Sequence, residues 1–295
     1  MNWPERSTMN NIKSKSEPGI TAAMAGVRRF MLPHAVALLC ALPLVGCLAQ
    51  DGDAEDGAVD VVQLPALTNN ALTNNALTNN ALTNNALTNN ALTNNALTNN
   101  ALMNNALSDP NARDVLKYIV SCALPAGRKV SFVADGVSYT YPGELGLAPQ
   151  WEKIDGKCNT ACKQWVSACV MARVDYLGVK VLISVRGDTP ALKAPLVEQA
   201  SYTVREGTYF GNIFAPTTER YACISPGRTG LPRVCGPTLD GCAVEAVGEC
   251  DETCKNPRSD GSFPKCSNEN SVAAQTQPSF VKKTYDGTVT VFLAP

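Results

Sequence analysis

The chain has 295 residues, nearly equal numbers of basic and acidic side chains (25 and 26) and a formal net charge of −1. No excess of positive charge favours nucleic acid as a partner, because such binding depends on neutralising phosphates. The single histidine, His34, lies in the leading segment described next. Catalysis by Ser-His-Asp or Cys-His groups and zinc hydrolysis built on histidine are therefore excluded from the rest of the chain.

Residues 1–46 have the features of a secretory signal region. Arg28 and Arg29 precede an apolar run at residues 31–45, and the small residue Gly46 follows it. The run is shorter than the ~20 residues that a membrane span needs. Met24 opens a signal of normal length and is an alternative start, so residues 1–23 are left out of the fold predictions.

The sequence LVGC at residues 44–47 resembles the lipobox of bacterial lipoproteins. That resemblance implies that Cys47 becomes the lipidated first residue of the mature chain, anchored in a membrane by acyl chains such as palmitate. Leu48 follows instead of Asp, which in this class implies an outer-membrane lipoprotein facing the periplasm or the cell surface. Residues 47–65 then form an acidic leader, because DGDAEDGAVD holds five acidic residues and no basic one.

Residues 66–108 are a repeat array of eight five-residue units, seven reading ALTNN and the last ALMNN. In a helix, a period of five moves successive leucines about 140° around the axis. In a strand, an odd period sends them to opposite faces. Neither element gains an apolar stripe from this repeat.

Two interpretations of the array stay open. It resembles the pentapeptide-repeat family, whose units build a four-sided right-handed β-helix around an inward Leu or Phe. Asn70, Ala71 and Leu72 reverse that family's order of small residue and Asn, which would place Asn inward. The alternative is a flexible spacer, since residues 63–108 contain no charge, no aromatic residue and no cysteine.

Residues 109–295 have the composition of one globular domain, with 20 basic and 19 acidic side chains. Asp109 and Pro110 are typical of a helix N-cap and first turn. Apolar residues follow at helical spacing, which predicts a helix with one buried face: Val115, Leu116, Ile119, Cys122 and Ala123.

Two Asp-Gly pairs predict β-hairpins. KVSFVADGVSYTY alternates apolar and polar residues on both sides of Asp135 and Gly136, and TYDGTVTVFL offers a second such turn at Asp286 and Gly287. Between them, residues 158–178 predict a central helix that ends near Gly178, with Cys158, Cys162, Trp165 and Cys169 along one face. The strand VKVLISV follows.

The expected fold class is α+β, with a mostly antiparallel sheet, two helices packed on one side, and a disulfide-rich domain preceded by the repeat array. Ten cysteines follow Cys47, and an even number in an exported chain predicts structural disulfides. They are Cys122, Cys158, Cys162, Cys169, Cys223, Cys235, Cys242, Cys250, Cys254 and Cys266.

The spacing of the cysteines limits their pairing without fixing it. Residues four apart on a helix have diverging side chains, so Cys158 and Cys162 are expected to pair elsewhere unless the helix starts after Cys158. Residues 235–266 are expected to form a loop-rich lobe closed by its own bridges. A zinc or redox site is the weaker alternative, because both favour CxxC whereas the spacing here is CxxxC. We expect no metal and no cofactor.

No catalytic residue is assigned. A pair of carboxylates remains possible for glycan hydrolysis, but nothing in the spacing selects a pair. The available residues are Glu144, Glu152, Asp155, Glu206, Asp251 and Glu252. The segment YTVREGTYFGNIF carries aromatic residues that could stack on a sugar, although core strands are the more usual role: Tyr202, Tyr209, Phe210 and Phe214.

The sequences ARDVLKYIVSCALP, WVSACVMARV and YTVREGTYFGNIF, with the lipobox and the repeats, resemble uncharacterised myxobacterial-type lipoproteins. No activity is established for that group. We therefore expect a membrane-anchored envelope protein whose domain has a non-enzymatic binding or structural role, with an envelope glycan or protein as partner. The alternative is a carboxylate-dependent enzyme that acts on envelope glycan.

Replacing the lipobox cysteine tests the anchor. The Cys47→Ala protein should move from the membrane fraction to the soluble fraction, because no thiol remains to be acylated. Fractionation with mass measurement of the mature N-terminus checks this. Continued membrane association of Cys47→Ala, with no lipid on the wild-type chain, would contradict the anchor.

Overall fold

The structure is a computed structural model that describes residues 67–70, 72–73, 107, 109–153 and 156–295; for residues 67–70 and 72–73 it describes the backbone alone. The signal region, Cys47, the acidic leader, most of the repeat array and Asp155 lie outside the described residues. What the sequence predicts for them stays a prediction.

Six α-helices and thirteen strands occur in this part of the chain. The helices are α1 (Pro110–Ala123), α2 (Thr160–Ala172), α3 (Leu196–Ser201), α4 (Pro232–Cys235), α5 (Cys250–Thr253) and α6 (Val272–Thr276). The strands are β1 (Leu67–Asn70), β2 (Leu72–Thr73), β3 (Lys129–Ala134), β4 (Val137–Pro142), β5 (Val174–Asp175), β6 (Val181–Arg186), β7 (Val204–Asn212), β8 (Glu219–Ile224), β9 (Glu245–Glu249), β10 (Cys254–Lys255), β11 (Lys265–Ser267), β12 (Thr284–Tyr285) and β13 (Thr288–Leu293).

The predicted α+β class with mostly antiparallel sheets is confirmed. The main sheet has six strands in the order β1-β6-β13-β7-β8-β9, and all its pairs are antiparallel except β8 with β9. A small sheet has the order β10-β11-β12, and β3 pairs with β4. The outermost strand of the main sheet, β1, comes from the first unit of the repeat array, and β2 from the second unit pairs in parallel with β5.

The core lies between the main sheet and the two long helices. α2 packs on β7 and β13, in the centre of the sheet, and α1 packs against α2 and β4. The side chains of Val166, Val170, Ile183, Val185 and Val289 have no exposed surface. Full burial of each such side chain stabilises the fold by roughly 1.5–3 kcal/mol.

Helix α1 begins as the sequence predicts. The Asp109 carboxylate accepts a hydrogen bond from the Asn111 amide at 2.9 Å, and Pro110 occupies the first turn, where its missing N–H costs nothing. The predicted apolar face is buried throughout. The cap residues and the apolar spacing both lie within or next to the helix, so the sequence alone predicts this helix.

The predicted bounds of the central helix were wrong at both ends. The Asn159 side chain accepts from the Cys162 amide at 2.9 Å, so this residue caps the helix and Cys158 precedes it. The helix ends at Ala172, six residues before Gly178. Gly178, with a φ of 66°, instead closes a turn by donating its amide to the Asp175 carbonyl at 3.1 Å. Glycine there serves a tight turn and not a helix end.

One of the two predicted hairpins is confirmed. Asp135 and Gly136 have φ values of 50° and 76°, as a two-residue turn between antiparallel strands requires. The second was wrong, since Asp286 and Gly287 connect β12 in the small sheet to β13 in the main sheet. Glycine at 287 serves close packing: a Cβ there would lie 2.6 Å from the Trp165 amide nitrogen.

None of the helices in the described ranges has both the length and the apolar character that crossing a bilayer requires.

Candidate functional site

The ten predicted disulfide cysteines form five bridges. The pairs are Cys122–Cys169, Cys158–Cys162, Cys223–Cys250, Cys235–Cys242 and Cys254–Cys266. The first joins α1 to α2 across 47 residues of sequence. In the chain-entropy model a loop of that size adds about 4 kcal/mol of stability.

The expectation that Cys158 and Cys162 pair elsewhere was wrong. Because Asn159 caps α2, Cys158 lies outside the helix, and its Cα is 5.3 Å from that of Cys162. That distance is within the normal range for a disulfide. The exception allowed at the sequence level, a helix that starts after Cys158, is the arrangement found.

The segment 235–266 is only partly closed by its own bridges. Two bridges lie within it, but Cys250 reaches outside to Cys223 on β8. The small sheet and α5 enclose a second apolar cluster: Phe210, Cys223, Val247, Cys250, Cys254, Phe263, Cys266 and Tyr285. The lobe is therefore continuous with the main sheet through β7 and β8.

Two of these bridges lie against each other. The Sγ atoms of Cys223 and Cys254 are 3.5 Å apart, and with that of Cys266 they fall within 4.8 Å of one another. All three sulfurs are engaged in disulfides. A metal site of this kind requires thiolates, so the cluster does not supply one in its oxidised form.

Four of the six candidate carboxylates bind arginine side chains, each a different one. Glu144 bonds Arg173 at 3.0 Å, Glu152 bonds Arg128 at 3.0 Å, Asp251 bonds Arg205 at 3.1 Å, and Glu206 bonds Arg233 at 2.5 Å. Glu252 is exposed at the surface, in α5. The geometry thus places these carboxylates with arginines and gives no support to an acid-base pair.

Glu206 is the most deeply placed of them. Its side chain has no exposed surface, and the Arg233 Nε lies 3.0 and 3.1 Å from its two oxygens. The Tyr209 hydroxyl donates to the same carboxylate at 3.0 Å, and Arg233 Nη1 donates to the Val174 carbonyl at 2.6 Å. Burial acts to lower the pKa of Arg233, but the charge and hydrogen bonds of Glu206, together with the nearby Tyr209 and Asp175, outweigh it and the pKa is raised. Burial, then the Glu206 charge, raises the pKa of Tyr209.

The aromatic residues suggested for sugar stacking are mostly in the core. Tyr209, Phe210 and Phe214 are 0–4% exposed, and Tyr202 is half-buried at the end of α3. The core-strand interpretation of that segment is therefore the one found. A different aromatic residue, Tyr221, is half-buried on β8 and packs against Phe210 and Tyr285, with ring centroids 5.8 and 5.9 Å away.

A cleft of about 410 Å³ opens beside Tyr221. It lies where β8 and β9 pair in parallel, and the register sets Tyr221 opposite Glu245. The crossover between these strands, which the Cys235–Cys242 bridge closes into a loop, supplies Leu239 and Gly241, and the start of α6 supplies Val272. Its volume is that of a pocket for a small ligand.

The polar groups of the cleft are held in place by their neighbours. Glu245 accepts a hydrogen bond from the Val272 amide at 2.5 Å, which fixes the first turn of α6 to β9. Burial lowers the pKa of Arg220 and raises that of Tyr221. Arg220 is therefore a partly desolvated cation and Tyr221 a neutral phenol that donates and accepts hydrogen bonds. These groups can orient a polar ligand, and none of them is an activated nucleophile.

Sequence reasoning missed Arg220, Tyr221, Glu245 and Arg233. The cleft residues come from three segments that only the parallel crossover brings together, so no local spacing marks them. Glu206 was among the candidate carboxylates, but its neighbours Arg205 and Gly207 give no local sign that it is buried against a partner. Nothing in the sequence pointed to Arg233 as that partner.

Breaking the buried ion pair should cost far more stability than breaking an exposed one. We expect Glu206→Gln to lower the free energy of unfolding by about 3–5 kcal/mol, because it leaves the Arg233 charge buried without its counter-ion. Asp286→Asn, which breaks the exposed pair with Lys265, should cost less than about 1 kcal/mol. Urea denaturation of the oxidised protein measures both, and equal losses would contradict this account.

Comparisons with known proteins give no relative to draw on. No family model, no curated protein and no solved structure matches this chain. What the cleft binds has to be inferred from its own residues.

Proposed function

We propose that this protein is a lipid-anchored envelope protein whose disulfide-bridged domain binds a polar ligand, a sugar-sized part of an envelope glycan, in the cleft between β8 and β9. The observation that carries the proposal is the cleft itself, with Arg220, Tyr221 and Glu245 around about 410 Å³ of space. The lipid anchor rests on Cys47 and its lipobox-like setting.

The chemistry of the lining favours a ligand with both donors and acceptors. Arg220 offers only donors, Glu245 offers only acceptors, and the Tyr221 hydroxyl offers both. Leu239, Val244 and Val272 add apolar contact. Sugars combine hydroxyl groups with apolar C–H faces, so a wall of this mixture suits them better than a purely apolar ligand or a multiply charged one.

The disulfides around the cleft also agree with a binding role. Two disulfides hold the crossover and the adjoining strands, Cys235–Cys242 within the loop and Cys223–Cys250 from β8 to α5. A wall held rigid before binding loses little conformational entropy on binding. The carboxylate-dependent enzyme is not favoured, because four of its candidate residues bind arginines.

A larger side chain at the entrance of the cleft should weaken ligand binding without disturbing the core. Val272 lines the cleft and is 62% exposed, so we expect Val272→Arg to fold normally and to weaken binding at least tenfold by filling the entrance. Val281, 72% exposed and away from the lining, gives the matched control, and Val281→Arg should bind within twofold of wild type.

The probes are soluble fragments of purified cell-wall glycan and of outer-membrane oligosaccharide, titrated by calorimetry into the Cys47→Ala protein. Thermal unfolding of each variant confirms that it is folded. If wild type binds none of these probes, the glycan assignment is wrong. If Val272→Arg binds as well as Val281→Arg, the cleft is not the site.

A further inference from the structure

The edge of the main sheet is covered by the repeat array. β1, from the first unit, runs antiparallel to β6, with Thr68 opposite Ile183 and Asn70 opposite Val181. β2, from the second unit, runs parallel to β5, with Leu72 opposite Val174. Two consecutive units therefore use their backbones to cap two neighbouring strands of the domain.

Without these units the edge of β6 would be prone to pair with other chains. β6 would present unpaired N–H and C=O groups along Val181–Ile183, a stretch whose register pairs with β1 but not with β13. Large apolar side chains surround it: Leu177 is 77% exposed, Val179 52% and Leu182 43%. They line a groove of about 460 Å³ together with Leu293. An open apolar edge of this kind pairs with other chains unless something covers it.

The units that cover this edge are copies of one another. The first seven read ALTNN without a change, so they form six overlapping pairs of identical sequence, of which the pair seen in β1 and β2 is the first. Strand addition depends mainly on backbone hydrogen bonds. Moving the array by one unit, five residues, places an identical residue at every position of the pairing.

We propose that the β5–β6 edge is a docking site for the ALTNN unit itself, and that any consecutive pair of the identical units of the same chain can occupy it. The occupant is the chain's own array, since two of its units already pair there through their backbones. The site selects the ALTNN sequence, but it does not select which units of the array are bound.

This docking would allow the length of chain between Cys47 and the domain to change. With the first pair docked, 19 residues lie between Cys47 and Leu67. Each move to the next pair adds five residues, about 17 Å of extended chain. The consequence for distance from the membrane rests on the lipid anchor proposed above, whereas the docking itself does not, because it involves only residues 66–105 and the sheet edge.

Hydrogen exchange at the edge tests the docking, with the mature protein purified in detergent. Amide exchange of residues 181–183 reports on pairing with the array, and exchange of residues 289–291 in β13 reports on the integrity of the sheet. Deleting residues 66–75 removes the observed pair but leaves six units. We expect residues 181–183 to exchange within twofold of wild type, since another pair takes the edge.

Deleting residues 66–105 removes every unit, and residues 181–183 should then exchange at least tenfold faster while residues 289–291 are unchanged. A length-matched control keeps the array but replaces all seven of its threonines and Met103 with proline, which removes one backbone N–H from every unit. It should behave like the full deletion.

Three outcomes would overturn the proposal. Loss of protection in the 66–75 deletion, equal to that in the full deletion, would show that only the first units fit. Retained protection in the full deletion would show that the array does not cover the edge. Native mass measurement of the 66–75 deletion should give a monomer, and protection found only in a dimer would assign the edge to a second copy. Membrane fractionation of Cys47→Ala tests the anchor separately.

Discussion

Arg233 and Glu206 form an ion pair at 7% and 0% side-chain exposure, and it fixes the start of the crossover between β8 and β9 to the sheet. Two charges removed from water are tolerated only when hydrogen bonds replace their hydration. Here the guanidinium also bonds the Val174 carbonyl, and the carboxylate also accepts from Tyr209. One interaction therefore joins β7, β5 and α4, the helix that precedes the cleft-lining part of the crossover.

The crossover that carries Arg233 makes β8 and β9 the parallel pair of the main sheet. Parallel strands require a long connection, and this one spans the residues between 224 and 245, with Leu231, Val234 and Ala243 buried in the main core. The Arg233 ion pair, the Cys235–Cys242 bridge and the Cys223–Cys250 bridge also hold it, so the cleft beside Tyr221 has a fixed wall.

Features with local causes could be predicted from the sequence. Asp109 and Pro110 start α1, Asp135 and Gly136 turn the first hairpin, and the even number of cysteines indicates disulfides. Features that depend on residues far apart in the sequence could not be predicted. Asp286 and Gly287 have the same dipeptide as the first turn, but packing against α2 sends the following strand into another sheet. The start of α2 depends on the hydrogen bond that Asn159 accepts from the Cys162 amide, which leaves Cys158 outside the helix.

The cleft is the clearest case of a feature beyond sequence reasoning. Tyr221 and Glu245 lie 24 positions apart and meet because two strands pair in parallel. Four of the carboxylates that the sequence offered as candidates bind arginines instead, so the proposed function rests on the polar groups that line the cleft. The first two units of the repeat array pair with β6 and β5 through their backbones. The five-residue period of the array did not predict this pairing.

The central claim is that the crossover between β8 and β9 is fixed to the sheet, and disulfide mapping tests it most directly. Protease digestion of the unreduced protein, followed by mass spectrometry of the linked peptides, identifies the partner of each cysteine. The account predicts Cys223 linked to Cys250 and Cys235 linked to Cys242. Free thiols at these positions, or a bridge from Cys235 or Cys242 to any other cysteine, would place the crossover elsewhere and remove the cleft as the binding site.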